Sequence, residues 1–140
     1  MREPIMSIDE LSSYMEEVFP ERAGDFHIDA LSSMHATISQ EVGPLDLRPG
    51  GTVSGPTIFA LADCAFYFAT LAMIGRVALA VTTNLNLTFM RKAPMAPLRA
   101  EARILKLGKL LSQGDVLVFS EGSEQPVAQA AVTYAIPPVR

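Results

Sequence analysis

Asp63 is the only charged side chain between Arg48 and Arg76. It sits in an apolar run, Pro56 to Ile74, whose only other ionisable groups are Cys64 and Tyr67. Burying a lone carboxylate costs several kcal/mol unless it is paired, hydrogen-bonded or protonated. Just ahead of the run stands Gly50-Gly51-Thr52-Val53-Ser54-Gly55-Pro56. Glycines, a capping hydroxyl and a proline in that order read as the approach to a helix N-terminus. Such an end carries about half a positive charge and free N–H groups, which suit an oxyanion or a phosphate. Asp63 lies eight residues beyond Gly55, about two helical turns. Both groups serve one substrate only if it lies along the helix. Tyr67 and Thr70, at i+4 and i+7 from Asp63, extend a narrow polar stripe on the same face. From the residues alone, Asp63 is a working carboxylate, a hydrogen-bonded structural acid or a dimer contact.

Rival chemistries find no support. His27 and His35 both precede the apolar run, and neither has a metal-ligand partner at i+3 or i+4. One cysteine cannot build a zinc cluster, so no metal is expected. Cys64 reads as a small buried hydrophobe. No Gly-x-Ser-x-Gly elbow, P-loop or dinucleotide fingerprint is present. The net charge of −4 disfavours nonspecific nucleic-acid binding. Residues 1–75 carry three Lys/Arg and eleven Asp/Glu, a balance of −8, and residues 76–140 carry eight and four, a balance of +4. The basic half is either solvated strand faces or a contact for a phosphorylated small molecule.

These groups need a scaffold. A length of 140 residues, 49% of them hydrophobic, favours one domain with one core. A single cysteine fits a reducing compartment and a cytoplasmic location. The N-terminus carries acids and no apolar signal region. Ser7 and Glu10 form a capping box that opens a helix ended by Pro20, so residues 1–25 read as a helical extension of a domain over 26–140. Thr57 to Ile74 is long enough to span a membrane, but with Asp63 inside it and strand-like sequence after it, it reads as a core helix. Ser54 or Gly55 caps that helix, Gly75 stops it, and Arg76 complements its dipole. The segments 34–40, 80–90, 98–107, 115–120 and 126–136 read as strands, with a short one at 52–54. In 80–90, Val81, Thr83, Leu85, Leu87 and Phe89 fall on one face and Thr82, Asn84, Asn86 and Thr88 on the other. Neighbouring strands joined by tight loops are the natural connectivity. The expected fold is α+β, a long helix wrapped by a curved antiparallel sheet of five or six strands.

Four segments carry a family resemblance: Gly51 to Gly55, Ala60 to Phe66, Thr82 to Ala93 and Ala128 to Tyr134. In this order and at these spacings, residues 30–137 resemble a hotdog-fold acyl-CoA thioesterase of the phenylacetate-degradation type. The resemblance implies a homodimer or a dimer of dimers with active sites between subunits. It implies no cofactor beyond coenzyme A as part of the substrate. It makes Asp63 the catalytic carboxylate, as general base or nucleophile, and Gly55 the oxyanion donor. Thr82 and Ser54 become orienting groups. Arg48, Gly51, Thr83, Arg91 and Lys92 become contacts for coenzyme A. Phe59, Phe66, Tyr67 and Met90 become candidate pocket walls, although large apolar residues are more often plain core. The family's His-Gly-Gly reads Ser54-Gly55-Pro56 here, and its upstream Asn is Arg48. Asp63 and Gly55 are retained, which favours hydrolysis over the alternative, a non-catalytic acyl-CoA or small-molecule binding module.

Overall fold

The computed structural model describes residues 2–138. In chain order it holds α1 (Ile8–Val18), β1 (His27–Ser32), β2 (His35–Gln40), α2 (Gly55–Ile74), β3 (Val81–Phe89), β4 (Leu98–Leu107), β5 (Leu111–Ser120) and β6 (Ala128–Ala135). The six strands form one antiparallel sheet in the order β1-β2-β4-β5-β6-β3. The sheet curves around α2, the expected α+β hotdog arrangement.

Side-chain size explains why the helix fits. The sheet's inner face is built largely of small residues: Ala36, Ala100, Ala102, Ala128 and Ala130 are all buried. The helix supplies the bulk, with Leu61, Phe66 and Leu71 fully enclosed. Small positions facing large ones let the two layers interdigitate at native density. Ser54 caps α2, Pro56 occupies its first turn, and Gly75 ends it at φ +94°. The helix is long and apolar enough to cross a membrane, but most of it is buried inside this fold.

The N-terminal helix forms as its capping box predicts, with the Ser7 and Glu10 side chains each bonded to the other's backbone N–H. Its Leu11, Tyr14 and Met15 join the same core as α2. The Ile5 and Met6 N–H groups donate to the Ala72 carbonyl.

Besides β1, which the sequence reading did not mark as a strand, and β5, which starts at Leu111 rather than at 115, four details depart from that reading. Residues 52–54 make only an isolated bridge, Val53 to Leu47, because Gly50 and Gly51 at φ +101° and +82° turn the chain too sharply for a strand. β3 does not neighbour β4. It lies on the far edge against β6, since β2 already holds the near side of β4. Arg76 does not serve the helix end. It stacks over the Tyr14 ring at 4.4 Å and pairs with Glu17 at 2.8 Å, anchoring α1. Finally, β3 breaks its alternation at a bulge between Thr82 and Asn84. The extra residue moves Thr82 onto the inner face with Leu85 and Leu87, and leaves Thr83 outside.

Gly114 is a tight spot between β5, β4 and the helix. It faces Ile104 of β4 beside a second bulge. A Cβ there would run into the Arg103 carbonyl oxygen and come within 2.8 Å of Phe66 Cε1. Gly114→Ala is therefore expected to cost about 2–3 kcal/mol, as overpacking of a tight core does. Urea unfolding checks this, and an unchanged midpoint would contradict the close approach.

Candidate active site

The helix start leaves one amide free. The first N–H groups of a helix have no intrahelical partner. Here Ser54 N–H donates to the Asp46 carbonyl at 2.8 Å, Thr57 N–H to Ser54 Oγ at 3.4 Å, and Ile58 N–H to the Ser54 carbonyl at 3.2 Å. Pro56 has no N–H. Among the described residues, nothing accepts from Gly55 N–H. Asp46 braces the approach, taking Thr57 Oγ1 at 3.1 Å and Gly43 N–H at 2.9 Å on its two carboxylate oxygens. Ser54 Oγ is occupied as the cap and donates to Thr57 Oγ1 at 3.1 Å. It fixes the helix start.

Two turns on, Asp63 is half-buried and held by hydroxyls from two strands. Thr82 Oγ1 of β3 donates to Asp63 Oδ1 at 2.6 Å. Tyr134 of β6 donates to the same Oδ1 at 2.7 Å, and its hydroxyl also lies 3.1 Å from the Asp63 backbone carbonyl. Oδ2 accepts no bond among the described residues and is not one of the enclosed, unpartnered atoms. The carboxylate therefore has one tethered and one available oxygen.

The chain's three tyrosines form a run that ends at this carboxylate. Tyr14 of α1 accepts the Ala78 N–H at 2.9 Å, and Tyr67 donates to the Ala78 carbonyl at 2.8 Å. The Tyr67 ring stacks on Tyr134 with centroids 5.8 Å apart. Burial, then the Asp63 charge, pushes the Tyr134 phenol well above its usual range. It stays a neutral donor. Burial pushes the Cys64 thiol up to about 12, with the Asp63 charge second, so it is no nucleophile at neutral pH.

Beside Gly55 a pocket of about 440 Å³ opens, lined by Arg48, Thr52, Val53, Ile58, Phe89, Met90, Arg91, Lys92 and Ala93. Three cations and no acid line it. Arg91 is steadied by donating to the Pro126 carbonyl at 2.7 Å, and Arg48 by donating to Thr52 Oγ1 at 2.8 Å. The structure thus gathers Gly55, Arg48, Arg91 and Lys92 in one place, and Asp63 with Thr82 in another. Phe59 projects from α2 between the two, 43% exposed. Gly51 lies in the exposed turn ahead of the helix and Thr83 on the outer face of β3, bonded to the Thr133 carbonyl at 3.3 Å. Phe66 is fully enclosed in the core. Tyr134 and Asp46 escaped the sequence reading as site residues. The alternation of β6 could have turned Tyr134 inward towards α2, but no local pattern marks Asp46.

Comparison with known proteins decides the family. The sequence model described as Thioesterase superfamily matches residues 50–127, more than half the chain. This chain belongs to the thioesterase superfamily. A candidate thioesterase from Silicibacter sp. TM1040 is 54% identical over 96% of this chain and 94% of its own, with a TM-score of 0.89. A variant of the phenylacetic acid degradation protein PaaI from Thermus thermophilus is 27% identical over 84% and 99% of the two chains, with a TM-score of 0.73. Zebra fish thioesterase superfamily member 2, 17% identical over 94% and 99%, shares the fold at a TM-score of 0.82. A search of the curated proteins gives no significant match. Superfamily membership and these structural neighbours support hydrolysis of acyl thioesters as the general activity.

Proposed function

We propose that this thioesterase hydrolyses acyl-CoA, with Asp63 of one subunit and Gly55 N–H of its partner acting on one thioester. The observation that carries this reading is the pairing of a half-open carboxylate with a single free helix-start amide. The amide must lie about 3 Å from the carbonyl oxygen, and the carboxylate within hydrogen-bond reach of the water that attacks the same carbonyl. Along one helix they stand about 12 Å apart, at 1.5 Å per residue. One subunit therefore cannot supply both.

A two-fold axis solves the spacing. Residue 59 is the midpoint between 55 and 63, and it is the exposed Phe59. Two antiparallel copies of α2 crossing there place each Gly55 against the other's Asp63. The open side of α2 runs through Pro56, Phe59, Ala60, Asp63, Cys64 and Tyr67, none of which is buried. Beside it β3 is a sheet edge with Val81 and Phe89 exposed, an unpaired ladder and apolar surface that a second copy would cover.

The chemistry then balances. Asp63 Oδ2 takes a proton from water as the water oxygen bonds to the carbonyl carbon. The Gly55 N–H holds the oxyanion. The C–S bond breaks, and the thiolate of coenzyme A receives the proton from Asp63. Arg48, Arg91 and Lys92 meet the phosphates of coenzyme A, a charge match supported by the acid-free lining of their pocket. No cofactor is needed beyond the coenzyme A that the substrate carries.

The test is release of free thiol from short, medium and aromatic acyl-CoAs. Turnover of any of them supports the reading. The occupied Ser54 hydroxyl and the missing Pro56 N–H favour a second reading, acyl-CoA binding without reaction. Thermal stabilisation by acyl-CoA with no thiol released would select it.

A further inference from the structure

We propose that Tyr134 is a positioning residue for the hydrolysis, pinning Asp63 Oδ1 together with Thr82 so that Oδ2 is the oxygen presented to the reacting water. This rests on the acyl-CoA thioesterase reading above. A carboxylate turns easily about its last torsion, so its two oxygens ordinarily exchange places. One donated hydrogen bond leaves much of that rotation. Two donors from different strands, both on Oδ1, remove it.

Tyr134 goes further than Thr82. Its hydroxyl reaches both Oδ1 and the backbone carbonyl of the same residue, at 2.7 and 3.1 Å, and so ties the carboxylate to its own turn of α2. The phenol is itself fixed. It is 4% exposed, its ring lies 5.9 Å from Phe66 and is stacked on Tyr67. Thr82 reaches the same oxygen only because the bulge in β3 turns it inward. A buried phenol that merely needed a partner would be satisfied by the backbone carbonyl alone.

The test is steady-state kinetics of Tyr134→Phe, which keeps the ring and its stacking and removes only the hydroxyl. Misaiming a reacting group costs rate rather than binding, so kcat is expected to fall about 10-fold with KM unchanged. Thr82→Val is expected to do the same, and Thr82→Ser, which keeps the hydroxyl, to recover most of the kcat that Thr82→Val loses. Because losing either donor frees the rotation, Thr82→Val with Tyr134→Phe together should cost less than the product of the two losses. With Asp63→Asn inactive, an unchanged kcat in Tyr134→Phe, a loss carried by KM, or fully multiplicative losses would overturn the inference and leave the thioesterase reading standing. Activity in Asp63→Asn would overturn the inference and remove Asp63 from the reaction, while absence of thiol release from every acyl-CoA would overturn the thioesterase reading itself. Should Tyr134→Phe fail to fold, equal kcat in Thr82→Val and Thr82→Ser overturns the inference instead.

Discussion

Asp63→Asn is expected to lower kcat by about 1,000-fold, the scale of removing a positioned general base. The substitution is nearly isosteric. Its side-chain oxygen can still accept from Thr82 and Tyr134, so both buried hydroxyls keep a partner. It removes the charge and the proton acceptor and little else. The melting temperature should therefore stay near that of wild type while thiol release from acyl-CoA collapses. The pairing of those two readouts matters. A purely structural role for Asp63 would lower stability and spare turnover, whereas full activity in a folded Asp63→Asn protein would remove the carboxylate from the reaction.

Gly55→Pro is expected to lower kcat by about 100-fold or more, the usual loss when one oxyanion donor is removed. The choice of proline follows from position. Gly55 is the first residue of α2, where proline is favoured because its N–H is not needed for the helix. Ser54 already has the extended backbone that a residue before proline requires, at φ −73° and ψ 153°. The helix start should survive while its one free amide disappears. Gly55→Ala is the control, since it keeps the N–H. Its Cβ would meet Phe89 Cζ at 3.2 Å, a contact the ring can relieve by a small shift. A large loss in the proline variant with a small one in the alanine variant assigns the effect to the amide. Equal losses would assign it to crowding against Phe89.

Much of the fold is legible in the chain itself. The core helix announces itself through an unbroken apolar run between a cap and a glycine, signals that depend only on local chemistry. Asp63 stands out because it is the single charge in that run. The capping box of α1 and the inward faces of β2 and β4 follow from spacing alone. What escapes depends on tertiary contact. The alternation in Val81 to Phe89 is regular in sequence, yet the bulge after Thr82 is set by pairing with β6, and it decides which threonine reaches Asp63. The far-edge place of β3 arises from competition between strands for the flank of β4. Tyr134 is 71 residues from Asp63, too far for any local pattern to join them. The tight packing at Gly114 depends equally on a distant partner, Phe66.

The claim that binds these observations together is that each site takes Asp63 from one subunit and Gly55 from the other. Mixing two inactive variants tests it most directly. Asp63→Asn and Gly55→Pro chains, co-expressed or unfolded and refolded together, form mixed dimers with one site that carries both defects and one that carries neither. Since about half of randomly formed dimers are mixed and one of their two sites is intact, about a quarter of the wild-type rate should return. Two inactive proteins that stay inactive when their subunits are mixed, with mixed dimers shown to form, would contradict a shared site.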